Sequence, residues 1–594
     1  MPFITTIQSA TIKSLEELYG HEFSAKDFQI NETKPEFEGD YTIVLFALVK
    51  TLKKNPENLG NDLGEHLMKN HPGFFSGYNL IKGFLNLEIA GKQLHHFLNE
   101  NFEDKNVGQK PFNHKKIMVE YSSPNTNKPL HLGHLRNNFL GWSVAEILKA
   151  NGYDVIKSSI VNDRGIHICK SMIAWIMFAN GASPESAHEK GDHFVGDYYV
   201  KFNDQFKKEV NELIGSGKTK EQAEKEAPVM KKTQQMLLDW EQGKPDVREL
   251  WKTMNGWVYK GFDETYKRIG SDFEQTFYES NTYLLGKDFV QEGLQKNILF
   301  RKEDGSVWID LVDKNLDEKL VLRGDGTSVY ITQDIGLAKQ KFEEYHLDKS
   351  IYVIGDEQLY HMKVLKEIIR KLGMPFADDM IHLSYGMVEL TTGKMKSREG
   401  TVVDADDLVD EMVATAAKHT EELGKVKDFT KEELEELYEK LGLGAMKFYL
   451  LRVDPKKRMV FNPEESIDFH GFTGPFVQYT YARIQSILRK VGSGEWAVNG
   501  QSEEELFPLE RQLIISLEKY SNAVSEAADE MNPSIIANYV FNLAKLFNSF
   551  YVEHSVANAE NEKKKKLRLR LSVMTANILR NGLHLLGIKV PERM

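Results

Sequence analysis

Two histidines separated by a leucine and a glycine, His131-Leu132-Gly133-His134, follow the strand-like run "KKIMVEYS" that ends at Ser122. Imidazoles at i and i+3 share one helical turn, and hydrogen-bond donors placed there suit a polyphosphate in its transition state. Gly133 removes a side chain where a flat group must come close. Beyond them Leu135, Phe139, Leu140, Val144, Ile147 and Leu148 recur at helical spacing until Asn151-Gly152, which predicts a helix from His134 that ends there. The histidines thus belong to the carboxyl end of a strand and the amino end of a helix. In an open parallel sheet that is where ligands bind, and the helix terminus favours phosphate.

Two more stretches are expected at the same sheet edge. "SVYITQDIGLAKQKFEEY" is read as a strand passing into a helix, with Thr332 as N-cap and Asp334 in the first turn. "KSIYVIGDEQLYHMKVLKEIIRKLG" repeats the arrangement, with Gln358 and His361 just past a strand Ile351–Ile354. Glu120 ends the first strand, so Glu120 and Asp334 are expected to face one pocket. Two carboxylates brought together without a cation raise a pKa and cost stability, which calls for a cationic ligand. Farther on, "YGMVELTTGKMKSREGTVVDADDL" carries Lys394, Lys396 and Arg398 in a glycine-containing loop suited to close over transferring phosphates. Taken alone, that K-x-K-x-R would be a solvated basic turn.

These elements need a scaffold, and 594 residues are too many for one core. Residues 1–110 read as a small α/β domain, with Leu85, Leu87 and Ile89 alternating with polar neighbours. Residues 111–405 alternate strand and helix, the pattern of a parallel sheet with crossover helices, interrupted by a polar insertion at about 185–300. Residues 406–455 form a connecting helical segment, and 456–594 are almost wholly helical, with "GSGEWAVNGQSEEE" as a loop between helices. The expected fold class is therefore α/β: a Rossmann-type parallel-sheet domain with a small N-terminal α/β domain and a C-terminal all-α bundle. A hydrophobic share of 41% and a charged share of 28% describe a soluble globular chain. The sequence carries no signal-peptide pattern and no apolar run long enough to span a bilayer. The single cysteine, Cys169, rules out disulfides and zinc sites built on several thiolates. A net charge of -12 speaks mildly against nucleic acid, although a basic groove can sit on an acidic body.

With these motifs in place, the sequence resembles the arginyl-tRNA synthetases of class I, nearly end to end. "SSPNTNKPLHLGHLR" resembles that family's extended HIGH signature and "GKMKSREG" its KMSKS loop. "GDYTIVLFALVK" with "GFLNLEI" resembles its N-terminal tRNA-contacting domain, and "FVQYTYARIQSILRK" through "LLGIKVPERM" its anticodon-binding domain. The resemblance implies that arginine is held by Glu120, Ser122, Asn125, Tyr330, Asp334 and Gln358. Carboxylates that meet a guanidinium bidentately reject lysine's point charge by geometry. It assigns ATP to His131, Gly133, His134, His361, the backbone near Met387 and Val388, Lys394 and Lys396. It makes Lys128, His131, His134 and Lys394 the catalytic groups. Ser397 stands where the loop's second lysine is usual, leaving Lys128, Lys396 and Arg398 to supply that charge, with Lys128 favoured.

The reaction implied is ATP-dependent formation of arginyl-adenylate, with Mg²⁺ accompanying the ATP, then transfer to the terminal 2'-hydroxyl of tRNA(Arg), by a cytoplasmic monomer. Basic surface for the tRNA is sought at Lys456, Lys457 and Arg458 and in Lys563 to Lys566 with Arg568 and Arg570, and base stacking at Tyr479, Tyr481 and Phe547. Other class I synthetases fit less well, because thiolate zinc sites or a large editing insertion have no place here. A small H-x-G-H nucleotidyltransferase leaves the helical third unexplained, and a tRNA-binding relative without catalysis leaves the intact histidines unexplained.

Overall fold

Ile117, Met118 and Val119 are apolar in succession, and all three are buried. That is the signature of a parallel strand covered on both faces. In the computed structural model, which describes residues 2–34, 36–391, 403–422, 428–492 and 504–594, this strand is the centre of a five-stranded sheet. The sheet comprises β1 (Lys116–Glu120), β2 (Asp154–Val161), β3 (Gln275–Tyr278), β4 (Lys349–Gly355) and β5 (Met380–Tyr385) in the order β5-β4-β1-β2-β3, with every pair parallel. The order reverses between β1 and β4. Chains leaving the carboxyl ends of those two strands diverge to opposite faces, and a crevice opens between them. Helix α1 (Leu132–Ala150) starts there after β1, and α5 (Leu359–Lys371) after β4.

The insertion between β2 and β3 is helical, dominated by α2 (Gly191–Gly215) and α3 (Pro245–Ile269). Between β3 and β4 lies a three-stranded antiparallel sheet, Leu299–Arg301, Val307–Ile309 and Lys319–Leu322, and then α4 (Tyr330–Tyr345). Here the structure corrects two expectations. The residues before α4 are not a strand of the parallel sheet; Ser328 only bridges Leu322 of the small sheet. Thr332 is not the N-cap, which is Val329. Its hydroxyl instead donates to the Val321 carbonyl and is buried.

The N-terminal region forms a four-stranded antiparallel sheet flanked by helices. Its strand Phe84–Ile89 buries Leu85, Leu87 and Ile89 and exposes Phe84 and Glu88. After α6 (Lys431–Leu451), whose Thr430 and Glu433 form a capping box, the chain continues through α7 (Gly474–Val491) to the last helix, α8 (Glu562–Leu585). Among the described residues no helix is long and apolar enough to cross a membrane. Lys394, Lys396, Ser397 and Arg398 lie outside the described residues, as does most of the loop after α7.

Candidate active site

The amino end of α1 is capped by its own histidines. His131 is the N-cap, and its Nδ1 accepts the Gly133 N–H at 3.1 Å, while His134 Nδ1 accepts the His131 N–H at 3.1 Å. Both rings spend Nδ1 as an acceptor, so each neutral ring carries its proton on Nε2. The rings lie 3.9 Å apart, tilted by 36°. Burial, with Lys128 adding to it, pushes His131 down to about 4 against the opposing pull of Asp404. His134 is held well below the usual histidine value by burial, His131 and Lys128. The site therefore presents two uncharged imidazole donors beside a lysine. A Cβ on Gly133 would lie 3.0 Å from His131 Cε1, so a side chain there would press on that ring.

One turn on, buried Arg136 donates to the carbonyls of Met387 (3.2 Å), Pro455 (3.2 Å) and Lys457 (2.8 Å). This fixes the strand Val388–Leu390, paired with Met459–Phe461, against α1. The Met387 carbonyl also accepts the Met459 N–H, so it is engaged within the chain. On the far side of the basic loop the chain returns beside the histidines: Asp404 bridges His131 and the Ala405 N–H donates to the Leu130 carbonyl. Asp406 is held there by Lys190 at 2.6 Å and by Thr265, with His193 Nε2 3.3 Å from both Asp404 and Asp406. Asp404 and Asp406 raise His193 to about 10 against its burial, while His193, Lys190 and Thr265 hold Asp406 well below the carboxylate range despite its own burial. Asp192, His193 and Asp406 have the spacing of metal ligands, but the Lys190 ammonium occupies the cluster and is its cation.

The two acids foreseen for arginine do share a neighbourhood. Glu120, at the end of β1, is buried and paired with the Lys341 ammonium of α4. Asp334, two turns earlier on α4, accepts from His361 Nε2 at 2.7 Å and is partly open to solvent. Lys341 and Tyr352 feel both carboxylates. His361, expected beside the ATP, thus lies against Asp334. Gln358 and Asn125 are exposed at the crevice, and Tyr330, the first residue of α4, is 75% exposed. Ser122 is wholly buried with φ +62°. Its N–H donates to Asn137, its hydroxyl meets Tyr266 at 2.7 Å, and its carbonyl accepts from Ser159, so it ties β1 to α1, α3 and β2.

A third acid, absent from the sequence reading, joins them. Glu279 follows β3, and burial, relieved by Arg164 but reinforced by Asp163 and Asp334, pushes its carboxyl up to about 7. That carboxyl has no hydrogen-bond partner among the described residues. Its signal in the sequence was a lone Glu-Ser after a strand-like "QTFY", which no periodicity marks out.

Several residues proposed for tRNA prove structural. Lys564 and Arg568 are buried on Glu510, at 2.6 and 2.9 Å, and Arg570 is buried on Asn99. Tyr481 and Phe547 are core residues, and Tyr479 is half-buried under Arg483. Lys456, Lys457 and Arg458 are exposed, but they sit at the crevice end of the parallel sheet, where Arg458 reaches Asp356 at 3.4 Å.

Comparison with known proteins agrees with this geometry. Residues 97–462 match the family described as tRNA synthetases class I (R), catalytic domain; residues 5–89 match the arginyl tRNA synthetase N terminal domain, and 477–594 the DALR anticodon binding domain. The chain is 52% identical to the arginine–tRNA ligase of Bacteroides thetaiotaomicron and 51% to that of Bacteroides fragilis, each over 99% of both chains. Its fold is similar to that of the Thermus thermophilus arginyl-tRNA synthetase, with a TM-score of 0.78 at 24% identity over 100% of both chains. A crevice with neutral histidines at one helix end and clustered acids at the next, on a chain matched along its whole length, places this protein in the class I arginyl-tRNA synthetase family.

Proposed function

We propose that the chain activates arginine with ATP and transfers it to the 3'-terminal adenosine of tRNA(Arg), through its 2'-hydroxyl, as a cytoplasmic monomer. The observation that carries the reading is that Glu120 and Asp334 both lie around Lys341, with Glu279 within electrostatic reach of Asp334, at the sheet edge where His131 and His134 open α1. Acids from three different elements gathered beside a phosphate-type helix terminus suit a cationic amino acid next to a nucleotide. The domain limits at 110, 405 and 455 remain our division of the chain.

In the step we infer, the arginine carboxylate attacks the ATP α-phosphorus, a P–O bond forms, and pyrophosphate leaves. No side chain acts as nucleophile, so the protein contributes position and charge. Asp334 and Glu279 form the guanidinium fork, with Tyr330, Gln358, Asn125 and Glu120 completing the amino-acid side and Ser122 holding the floor. His131 and His134 donate from Nε2 to the phosphates; being neutral, they need no counter-ion before ATP arrives. Gly133, Met387 and Val388 border the nucleotide, and Lys128, with Lys394 and Lys396, supplies positive charge as pyrophosphate develops. Mg²⁺ enters on the ATP as part of that substrate. Pyrophosphate exchange measured with tRNA present tests the reading: exchange with arginine and not with lysine is expected, and no exchange with any amino acid would leave only tRNA binding.

A further inference from the structure

Lys341 is fully enclosed, and nothing in the signatures points to it. It stands seven residues after Asp334 on α4, two turns on, so both project from one helix face toward the same sheet edge. Its ammonium donates to Glu120 Oε2 and lies 5.1 Å from the centre of the Phe277 ring and 4.9 Å from that of Tyr352. Tyr352 faces Glu120 across the β1–β4 register, and its buried hydroxyl makes no well-formed hydrogen bond among the described residues, the Ser350 hydroxyl being its nearest polar neighbour on the same strand. The cluster therefore contains an acid with one oxygen engaged, a cation with no route to solvent, and an unsatisfied hydroxyl beside them. Buried polar atoms are usually paired, with protein groups, with ordered water or with a ligand.

We propose that Lys341 is a positioning residue for arginine recognition: by holding Oε2 it fixes the Glu120 carboxylate so that Oε1 alone, with the Tyr352 hydroxyl beside it, is offered to the substrate. A carboxylate tied in this way has Oε2 turned toward Lys341, which leaves Oε1 as the oxygen best placed to accept a directed hydrogen bond from a cation. The fork is left to Asp334 and Glu279. Lys341 acts through Glu120, and the inference rests on the reading of Glu120 as an arginine contact.

The test is pyrophosphate exchange, with tRNA present, on Glu120→Gln, Lys341→Met, Lys341→Arg and the Lys341→Met/Glu120→Gln pair. Glu120→Gln is expected to raise the KM for arginine about tenfold, with the KM for ATP unchanged. Lys341→Met should show the same split at similar size, and the double variant should be no worse than the worse single, since contacting residues that act as one unit are non-additive. Lys341→Arg keeps the charge but engages both carboxylate oxygens, so it too should raise the arginine KM; it decides the matter if Lys341→Met does not fold. An unchanged arginine KM in Lys341→Arg, or an additive double variant, overturns the inference and leaves Lys341 a structural counter-ion. An unchanged arginine KM in Glu120→Gln would overturn it at a different point, by removing Glu120 from the arginine site.

Discussion

Glu279 shows how a residue acquires chemistry from its surroundings. Its carboxyl is pushed up to about 7 by burial and by Asp163 and Asp334, with Arg164 opposing. It must ionise to meet a guanidinium, so kcat/KM for arginine should rise with pH through about 7, and Glu279→Gln should flatten that rise while lowering the plateau. His131 and His134 stay neutral through this range, the former at about 4, and do not produce the same rise. The profile of kcat/KM for arginine from pH 6 to pH 8 checks this; a slope unchanged in the variant would assign the titration elsewhere. Glu120, Asp334, His131 and His134 could be found in the sequence because strand ends and helix starts carry polar residues against an apolar pattern. Glu279 and Lys341 could not, because each depends on a neighbour far along the chain. Ser122 sits beside a recognisable motif, yet its left-handed backbone and enclosed hydroxyl appear only once β1, α1 and α3 are packed together.

At the level of elements, α1 connects the chemistry to the rest of the chain. Its first turn carries the histidines, Ser143 donates to the Leu585 carbonyl at 2.6 Å, and the residue after its end, Asn151, donates to the Val524 carbonyl at 3.0 Å. Lys447 of α6 lies against it, over the Phe139 ring, and donates to the Gly587 carbonyl at 2.6 Å. Burial, with Lys589 adding to it, brings this lysine down to about 7. An unfolded lysine titrates near 10.4, so between those values the unfolded chain binds the extra proton and stability rises with pH. From pH 7 to pH 9 this amounts to about 2 kcal/mol. Thermal midpoints at the two pH values should diverge more in the wild type than in Lys447→Met, and equal divergence would show that Lys447 is charged in the fold. At the other end of α1, Asp406→Ala leaves Lys190 and His193 without their shared acid. A loss of about 2 kcal/mol in urea unfolding is expected, together with a lower rate of adenylate formation, because the segment beside His131 loses its anchor. The helices themselves were legible from apolar spacing. The strand expected before α4 was not real, since Val329 and Ile331 mimic alternation while the backbone already turns into the helix.

For the molecule as a whole, the acidic total hides a division of labour among the basic residues. Lys564 and Arg568 neutralise buried Glu510 inside the helical region, and Arg511 binds Asp40, just before a strand of the N-terminal sheet. A run of lysines and arginines in sequence does not say which of them a helix turns inward, which is why Lys563 to Arg570 read as a surface and half of it is core. The exposed Lys456 and Lys457 border the crevice instead. Reversing both to glutamate is expected to raise the KM for tRNA and reduce its salt dependence, with the KM for arginine unchanged in exchange assays. The overall architecture was readable because strand–helix alternation and helical periodicity are local signals. The contacts that join the parts, such as Tyr41 to Glu518 at 2.9 Å, are not. The central claim, an arginine pocket of gathered acids facing a nucleotide end, is tested most directly by Asp334→Asn in pyrophosphate exchange with tRNA present. A lost charged hydrogen bond predicts an arginine KM raised by about 10- to 100-fold with the ATP KM unchanged; equal losses for both substrates would contradict it.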